Sequence, residues 1–453
     1  MKIIPSPSQK GLFLFVGDAT RPVSELVWDA DGAHTFQLAK HPSTSASLTV
    51  LHFNDLHGRL RDFSRIARRI NELRARPNTT LLTLSAGDDM VGTPFDELLG
   101  SQNPAYQLYS AVGLDACALG NHDFDYGTEA LAKGIQMDAN FPVLSANLKN
   151  SENLKGLYSP AVLYVKNGIR IGIIGLSTQA QIRYPLHSHL EITDPVPVAQ
   201  NLVAAIRPIC DVLIILSHLG YSKKARLVAS PEVGDVELAE ALPAGSVDLI
   251  VGGHSHNALN ENGLHTENIV NEIPIVQAGG FGEHIGEVEV EIGKKGVSLI
   301  STSLKKTETL APDDAFEEAE LKPLISDVEK IENTTLGKVA NNPQLGVDAA
   351  KQQFALGELA LANFITKGIT SQLKKNGYKI DFSTIDSSSM VSGVPFGGDL
   401  TFSDWFKVMP FADTVRIYQI TGQELKDLLK DNALRMSRAE NGEKERGFLQ
   451  FGK

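Results

Sequence analysis

Short apolar runs begin abruptly at Leu48 and recur along the chain as far as residue 253. Most positions within each run are apolar, which is typical of strands covered on both faces. The runs are LTVLHF (48–53), TLLTLSA (80–86), ACAL (116–119), FPVLSANL (141–148), RIGIIGLS (170–177), DVLIILS (211–217) and VDLIVGG (247–253). Helical spacing lies between several of them, clearest in DFSRIARRINELRAR, where Ile66, Ile70 and Leu73 share one face. Strands that alternate with helices predict an α/β domain.

The pattern changes after this region. EHIGEVEVEI and GVSLISTSL alternate with period two and predict an antiparallel hairpin. Residues 313–331 have helical spacing, with acidic side chains crowded into the first turns, and predict a connecting helix. Further on, Thr421 and Glu424 have the spacing of a capping box that opens another helix. We therefore expect an N-terminal extension at 1–47, a main domain at 48–305, a linker helix at 306–335 and a smaller α+β domain at 336–453.

Composition places the 453-residue chain among soluble globular proteins, with 42% hydrophobic and 21% charged residues. The formal net charge is -12, which argues against a nucleic-acid polymer as partner, because neutralising phosphates requires a basic surface. No apolar run approaches the ~20 residues of a membrane span, and Leu12 to Val16 is too short for a secretory core, so a cytoplasmic protein without a membrane partner is expected. Cys117 and Cys210 lie in apolar runs and are expected to be buried thiols.

Five segments place Asp, Asn or His at the end of an apolar run: Asp55-Leu56-His57, Gly87-Asp88, Gly120-Asn121-His122-Asp123, Ser217-His218 and Gly253-His254-Ser255-His256. In open α/β sheets ligands collect at the carboxyl ends of strands, so these distant segments are expected to converge. The two residues of an Asp-x-His or His-x-His pair point to the same side if the backbone is extended.

The residue types indicate a metal site. Imidazole together with carboxylate suits zinc, manganese, iron or cobalt, whereas oxygen ligands alone would suggest magnesium or calcium. The five segments offer seven candidate ligands, which are too many for one tetrahedral ion. They fit two divalent ions that share a carboxylate, and such a pair is the recurring device for hydrolysing phosphate esters. His122 follows a candidate ligand and is placed to act as a general acid or transition-state stabiliser, with Asp125 orienting it.

The remaining histidines are given a structural interpretation. His187 and His189 share the His-x-His spacing but follow Tyr184-Pro185 and end no apolar run, so we expect them in a surface loop. The others outside the five segments are His34, His41, His52, His265 and His284.

The five motifs NDLHG, GDDMVGTP, GNHDFDYG, SHLG and GGHSH resemble the metallophosphoesterase domain of the 5′-nucleotidase and UDP-sugar hydrolase family over about residues 48–300. This resemblance implies a layered β-sandwich flanked by helices. It also implies two divalent metal ions, with Asp88 bridging them, and a catalytic dyad of His122 and Asp125. Asp123 stands where the family pattern more often has Glu. The implied metal ligands are Asp55, His57, Asp88, Asn121, His218, His254 and His256.

Residues 336–453 resemble the start of the family's C-terminal substrate-binding domain, and the domain is expected to be incomplete. Phe411 matches the first of two aromatic residues that sandwich a base in that family; a plain core role is the alternative. The family's Asn, three glycines, Ile and Arg are replaced by DSSSMVSGVP at 386–395, and no arginine occurs between Arg226 and Arg416. Lysine could supply charge but not the planar fork of arginine. Nucleotide specificity is therefore an open question at this stage.

The sequence predicts a metal-dependent phosphohydrolase that removes phosphate from a nucleotide or a related small phosphate ester through a metal-bridging hydroxide. The alternatives are a phosphodiesterase or thiosulfohydrolase variant on the same site, and a non-catalytic binding protein whose substrate recognition has decayed. The resemblance also leaves a periplasmic or extracellular location open. Oligomeric state and metal identity are not indicated by the sequence.

Overall fold

The computed structural model describes residues 1–23, 25–29, 46–149, 152–179, 190–222, 233–293, 296–353, 357–410, 415–436 and 448–452. They form two compact units. The first comprises Met1–Val91 with Phe95–Ile325, and the second comprises Gly92–Pro94 with Ser326–Lys453. The main division falls within the stretch 306–335 that was expected to be a linker.

The first unit alternates strands and helices, as the apolar runs predict. Its helices are α1 (Phe63–Arg74), α2 (Pro104–Val112), α3 (Gly127–Asp138), α4 (Pro195–Ile206), α5 (Asp235–Ala241), α6 (Asp314–Phe316) and, continuing into the second unit, α7 (Lys322–Glu332). Its strands are β1 (Lys2–Pro5), β2 (Leu12–Val16), β3 (Val27–Trp28), β4 (Ala46–Phe53), β5 (Thr79–Ser85), β6 (Ala116–Ala118), β7 (Val143–Leu144), β8 (Leu148–Lys149), β9 (Ala161–Lys166), β10 (Ile169–Ser177), β11 (Glu191–Ile192), β12 (Val212–His218), β13 (Leu249–Gly252), β14 (Ile269–Val270), β15 (Ile273–Gln277), β16 (His284–Gly293) and β17 (Gly296–Lys306).

Two sheets form a layered sandwich. One has nine strands in the order β14-β15-β13-β12-β10-β9-β2-β1-β3, and the other has six in the order β17-β16-β4-β5-β6-β7. Apolar side chains of both sheets make one buried cluster, in which Val50 of β4 and Leu84 of β5 join Ile173 of β10 and Ile214 of β12. Burying each such side chain contributes about 1.5–3 kcal/mol, so this shared layer holds the two sheets together.

Helices cover the outer faces. Helix α1 buries Phe63, Ile66, Ile70 and Leu73, which confirms the predicted amphipathic face. Helix α4 buries Val198 and other apolar residues in a second cluster with the nine-stranded sheet. The hairpin predicted after the last parallel strand is confirmed, because β16 pairs antiparallel with both β17 and β4.

The N-terminal residues differ from the predicted extension at 1–47. Strand β2 pairs antiparallel with β9, and β1 pairs with β2, so the first residues of the chain extend the nine-stranded sheet. Phe13 and Phe15 are buried in the cluster beneath α4. This segment is therefore part of the first unit.

The second unit is the smaller α+β domain. Its further helices are α8 (Val347–Gln353), α9 (Ala360–Lys375), α10 (Phe402–Phe406) and α11 (Gly422–Leu434), and its strands are β18 (Thr335–Val339), β19 (Ser383–Asp386), β20 (Gly398–Thr401) and β21 (Leu449–Gly452). Strand β18 pairs with β20, and β19 pairs with β21. The predicted capping box at Thr421 is confirmed, since its side chain accepts from the Glu424 N–H. In the part of the chain that is described, no helix combines the length and apolarity required to cross a bilayer.

Candidate metal centre

The candidate ligands lie at the carboxyl ends of parallel strands in both sheets. Strands β4 and β5 run parallel and are followed by Asp55 and Asp88, while β12 and β13 run parallel and lead to His218 and His254. The sandwich brings these two sets of strand ends together. The predicted convergence is therefore observed, although the ligands come from two sheets rather than one.

The backbone at the site is unusual. Asp55, His57, Asp88, His254 and His256 all have positive φ, between 47° and 72°. Left-handed backbone is uncommon for residues other than glycine and costs of order 1–3 kcal/mol each where it is strained. The expectation from the sequence that the Asp-x-His and His-x-His pairs lie in extended backbone is therefore wrong. Tight turns orient these side chains instead. Such a concentration of unfavourable conformations is typical of a functional site.

One group of possible ligand atoms comes from Asp55, His57 and His256, and all of these atoms lie within 4.8 Å of one another. His256 Nε2 is 3.1 Å from Asp55 Oδ1 and 3.2 Å from His57 Nε2. We call these three residues the first triad. The Nδ1 of His57 lies 3.0 Å from the Val91 carbonyl oxygen, which orients the ring so that Nε2 faces His256 and the candidate ion position.

A second triad consists of Asp88, His218 and His254, again with ligand atoms within 4.8 Å of one another. His218 Nε2 lies 3.0 Å from Asp88 Oδ2 and 3.9 Å from Asp55 Oδ1, so the two triads adjoin. His218 Nδ1 lies 2.6 Å from the Ala86 carbonyl oxygen, which orients this ring as His57 is oriented in the first triad.

Two buried polar atoms at the site support the interpretation as a metal centre. Asn121 Oδ1 and His254 Nε2 are both buried and have no hydrogen-bond partner. A buried acceptor without a partner costs about 1–3 kcal/mol, so it calls for an explanation. Divalent cations bound by the two triads would provide one, because an amide oxygen and an imidazole nitrogen are both metal ligands. The residues present therefore fit a dinuclear centre.

The electrostatics of the site favour cations. Burial lowers the pKa of His254 to about 4, so this imidazole is neutral and ready to act as a ligand at neutral pH. Burial also disfavours the charged form of His218, but the carboxylates of Asp88 and Asp55 outweigh this effect and raise its pKa to about 10. The carboxylates of the site therefore attract positive charge. Without a metal ion, the proton on His218 supplies that charge.

Glycines allow the close approach of the strand ends. A Cβ on Gly120 would lie 2.1 Å from Asp88 Oδ1. A Cβ on Gly253 would lie 2.8 Å from the Ala86 carbonyl oxygen and 2.9 Å from His218 Nδ1. Only a residue without a side chain fits at these two positions.

His122 and Asp125 form the expected pair. His122 Nδ1 lies 2.6 Å from Asp125 Oδ2, and the His122 backbone N–H donates to Asp88 Oδ1 at 2.8 Å. The His122 ring lies 5.1 Å from that of His57. Burial lowers the pKa of His122, but the charges of Asp88 and Asp125 raise it more strongly, to about 9. The imidazole is thus held protonated beside the two triads.

Sequence reasoning missed three supporting residues. Asn54 donates to Asp55 Oδ2 at 2.6 Å and accepts from the Ala278 N–H. Asp89 is buried and accepts from the hydroxyls of Ser85 and Tyr109, and from the thiol of Cys117 at 3.0 Å. The third is Phe281, whose ring packs on the rings of His57 and His256. Asn54 and Asp89 are next to candidate ligands in the sequence, so a supporting role could have been predicted for them. No sequence pattern around Phe281 indicates its role.

Other predicted residues are placed as follows. Both cysteines are free and buried, as expected. Phe411 and the pair His187 and His189 lie outside the described residues. In the second unit, a cavity of about 1470 Å³ is lined by residues that include Phe364, Trp405 and Arg416. Arg416 thus supplies a guanidinium to the lining of this cavity. The segment 386–395, where the family has an arginine, has none.

Comparison with known proteins agrees with this geometry. Residues 48–258 match the calcineurin-like phosphoesterase family, and residues 335–452 match the C-terminal domain of 5′-nucleotidases. A 5′-nucleotidase of Vibrio cholerae serotype O1 is 31% identical over 91% of this chain and 78% of its own length. Protein UshA of Escherichia coli is 29% identical over 86% of this chain and 77% of its own length.

Solved structures show the same fold. A 5′-nucleotidase precursor from Thermus thermophilus superposes with a TM-score of 0.62 at 25% identity, covering 89% of this chain and 81% of that one. A sulfate thiohydrolase from the same organism has a TM-score of 0.58 at 15% identity, over 90% and 82% of the two chains, and shares the fold alone. Calcineurin-like metallophosphoesterases use a dinuclear metal centre, and the two triads match that requirement. The chain therefore belongs to the 5′-nucleotidase family of metal-dependent hydrolases of phosphate ester bonds.

Proposed function

We propose that this chain removes phosphate from a nucleotide or a closely related small phosphate ester, with the two triads and Asn121 as metal ligands and His122 with Asp125 as the catalytic dyad. One observation carries the proposal. His218 Nε2 of the second triad lies 3.9 Å from Asp55 Oδ1 of the first, and His122, paired with Asp125, is tied to the second triad because its backbone N–H donates to Asp88. Ligands and a proton-bearing group therefore share one site.

The chain's own residues have separate tasks in this proposal. Asp55, His57 and His256 would hold one cation, while Asp88, Asn121, His218 and His254 would hold the other, and the family resemblance implies Asp88 as the shared ligand. When bound, two divalent cations neutralise phosphate charge and lower the pKa of a water molecule enough to make it a nucleophile near neutral pH. Two divalent cations bring four positive charges against two carboxylates, so a site in an acidic chain would still attract an anionic substrate.

His122 is proposed to act on the departing group. Asp125 fixes the ring through Nδ1, which leaves Nε2–H to donate a hydrogen bond or a proton to an oxygen that gains negative charge. The His122 side chain is 26% exposed and its ring lies 5.1 Å from that of His57, so it stands beside the first triad. A positioned general acid of this kind typically contributes 10²–10⁴-fold to the rate.

The nucleotide preference is supported by the second unit. This unit matches the 5′-nucleotidase C-terminal domain over nearly its whole length, and its cavity combines aromatic side chains with Arg416. Aromatic rings stack on nucleobases, and a guanidinium binds phosphate through a planar fork. The cytoplasmic location and its periplasmic or extracellular alternative stay predictions.

The test is kcat/KM for 5′-AMP, UDP-glucose, 2′,3′-cyclic AMP and p-nitrophenyl phosphate with saturating Mn²⁺. The variant His122→Ala should lose about 10²–10⁴-fold in kcat. His265→Ala is the matched control, because the side chain of His265 is 53% exposed and lies outside both triads. Preference for a nucleotide supports the proposal in full.

Other outcomes correct it in stated ways. Preference for the cyclic diester would assign the site to a phosphodiesterase. A thiosulfonate is assayed beside the four esters, and its turnover without turnover of any ester would assign the site to a thiosulfohydrolase. Absence of turnover on every ester by the metal-loaded protein would contradict the enzymatic proposal and leave a binding role.

A further inference from the structure

Phe281 has an environment that folding alone does not explain. The residue is 46% exposed, and its backbone has a φ of +59°. A bulky residue in left-handed backbone is a genuine outlier, and an exposed phenyl ring gains little from burial to offset it. The neighbours Gly280 and Gly282 show that a glycine would have suited this turn, since Gly282 itself has a φ of +70°. The ring is therefore expected to serve the site beside it.

The contacts of this ring concern one triad. It lies 4.9 Å from the His256 ring in an edge-to-face arrangement, and 5.4 Å from the His57 ring at an interplanar angle of 34°. The Phe281 N–H donates to the backbone carbonyl of Asp55 at 2.6 Å, so the same turn also fixes the third member of the first triad. All three members are thus in contact with one residue.

The two triads differ in the support of one ring, that of His256. His218 and His254 are 0% and 2% exposed, and their rings lie 5.3 Å apart, so the protein interior restricts them. The side chain of His256 is 19% exposed, which leaves more freedom for its ring to turn. A Cβ on Gly280 would be 3.1 Å from His256 Cγ, so the backbone next to Phe281 also confines this ring.

We propose that Phe281 is a positioning residue for the first triad: its ring holds the imidazoles of His57 and His256 in the orientation that binds one of the two metal ions, and so sets the affinity of that ion alone. Edge-to-face and tilted ring pairs have a preferred geometry, which makes the phenyl ring a directional support rather than a filler of space. Residues that orient metal ligands through hydrogen bonds change the affinity of the site about 10- to 100-fold when altered, and a comparable effect is expected for a ring that orients two of the ligands. The inference rests on the ligand set proposed above.

The test is Mn²⁺ titration of the full chain by calorimetry, together with electron paramagnetic resonance at two Mn²⁺ ions per chain. The wild type should bind two ions and show the spin-coupled signal of a pair. Phe281→Ala should weaken one of the two ions by about 10- to 100-fold, leave the other unchanged, and replace the coupled signal by that of an isolated ion. Phe281→Tyr, which keeps the ring, should restore both affinities.

Two further variants identify the affected site. In a background that carries both His57→Ala and His256→Ala, which leaves no imidazole for the ring to hold, adding Phe281→Ala should cause no further loss. Met137→Ala is the matched control, because Met137 is a 67% exposed apolar residue of the same unit and contacts neither triad. It should bind both ions as the wild type does.

The possible failures are distinguishable. Two ions bound with wild-type affinity by Phe281→Ala would overturn this inference and leave the proposed function intact. Equal weakening of both ions would also overturn it, because it would indicate a general distortion. A wild-type chain that binds no Mn²⁺ would refute the proposed ligand set, and with it both proposals.

Discussion

Replacing Gly120 by alanine tests whether the close approach of two strand ends is what places Asp88. Gly120 lies in the loop after β6, and its backbone φ is not in the left-handed region, so alanine introduces no backbone strain there. The added Cβ would instead lie 2.1 Å from Asp88 Oδ1 and 2.8 Å from both Asp88 Cγ and the Asp88 backbone nitrogen. The perturbation is therefore purely steric and acts on one candidate ligand.

The size of the effect follows from these distances. Non-bonded Cβ contacts below 3.0 Å are essentially never seen, so the Asp88 carboxylate must retreat by about 1 Å. That displacement lengthens the 2.8 Å hydrogen bond from the His122 N–H and moves Oδ2 away from its 3.0 Å contact with His218. A misplacement of about 1 Å at a catalytic site costs roughly 10²-fold in rate, and overpacking costs about 1–3 kcal/mol in stability.

Gly120→Ala should therefore reduce kcat for p-nitrophenyl phosphate by about 10²-fold or more while thermal unfolding still shows a folded protein. Mn²⁺ titration should show weaker binding, because Asp88 belongs to the second triad. Gly293→Ala is the matched control, since nothing lies within 4 Å of a Cβ there. Near wild-type kcat and Mn²⁺ affinity in Gly120→Ala would refute the argument that this contact positions Asp88.

Three more outcomes are expected. Asp125→Asn, which keeps the shape but removes the charge that holds His122, should lower kcat for 5′-AMP about 10- to 100-fold with little change in KM, and an unchanged kcat would exclude the dyad. Burial lowers the pKa of His52 to about 3, below its unfolded value of 6.5, so the unfolded chain takes up a proton that the folded chain excludes. The contribution of His52 to the free energy of unfolding is therefore complete above about pH 6.5 and falls by roughly 2 kcal/mol between pH 7 and pH 5. Urea unfolding of His52→Leu should show a smaller decrease in the free energy of unfolding over this pH range than the wild type. Parallel pH dependences of the two proteins would contradict this. Gly368→Ala, in helix α9 with no atom within 4 Å of the new Cβ, should raise the free energy of unfolding by about 0.5–1 kcal/mol in urea denaturation, whereas a decrease would mean that the site is more crowded than it appears.

Much of the fold and the site is encoded locally. The apolar runs mark the central strands because a strand buried on both faces needs apolar side chains at most positions. Helix α1 and the capping box at Thr421 are equally local, since helical spacing and a cap involve residues three or four apart. The identity of the candidate ligands was also available, because Asp, Asn and His at the ends of apolar runs are chemically unusual there.

Other features depend on residues that are far apart in the chain. Leu14 pairs with Val162, and no local pattern near residue 14 indicates that partner. Strand pairing over such a separation is decided by the layer that both sheets bury together, so the N-terminal strands could not be assigned from their own sequence. The same is true of Phe281, whose position on the rings of His57 and His256 follows from the loop after β15.

The sequence by itself thus determined which chemistry the chain carries: carboxylates, imidazoles and an amide at strand ends, in an order typical of one family. Only the tertiary structure decided how these groups meet. Two sheets supply the ligands, left-handed turns aim them, and glycines at 120 and 253 allow the contacts. The physical reason is that residue type and spacing fix local conformation, whereas distances between side chains some 200 residues apart are fixed by packing of the whole sandwich.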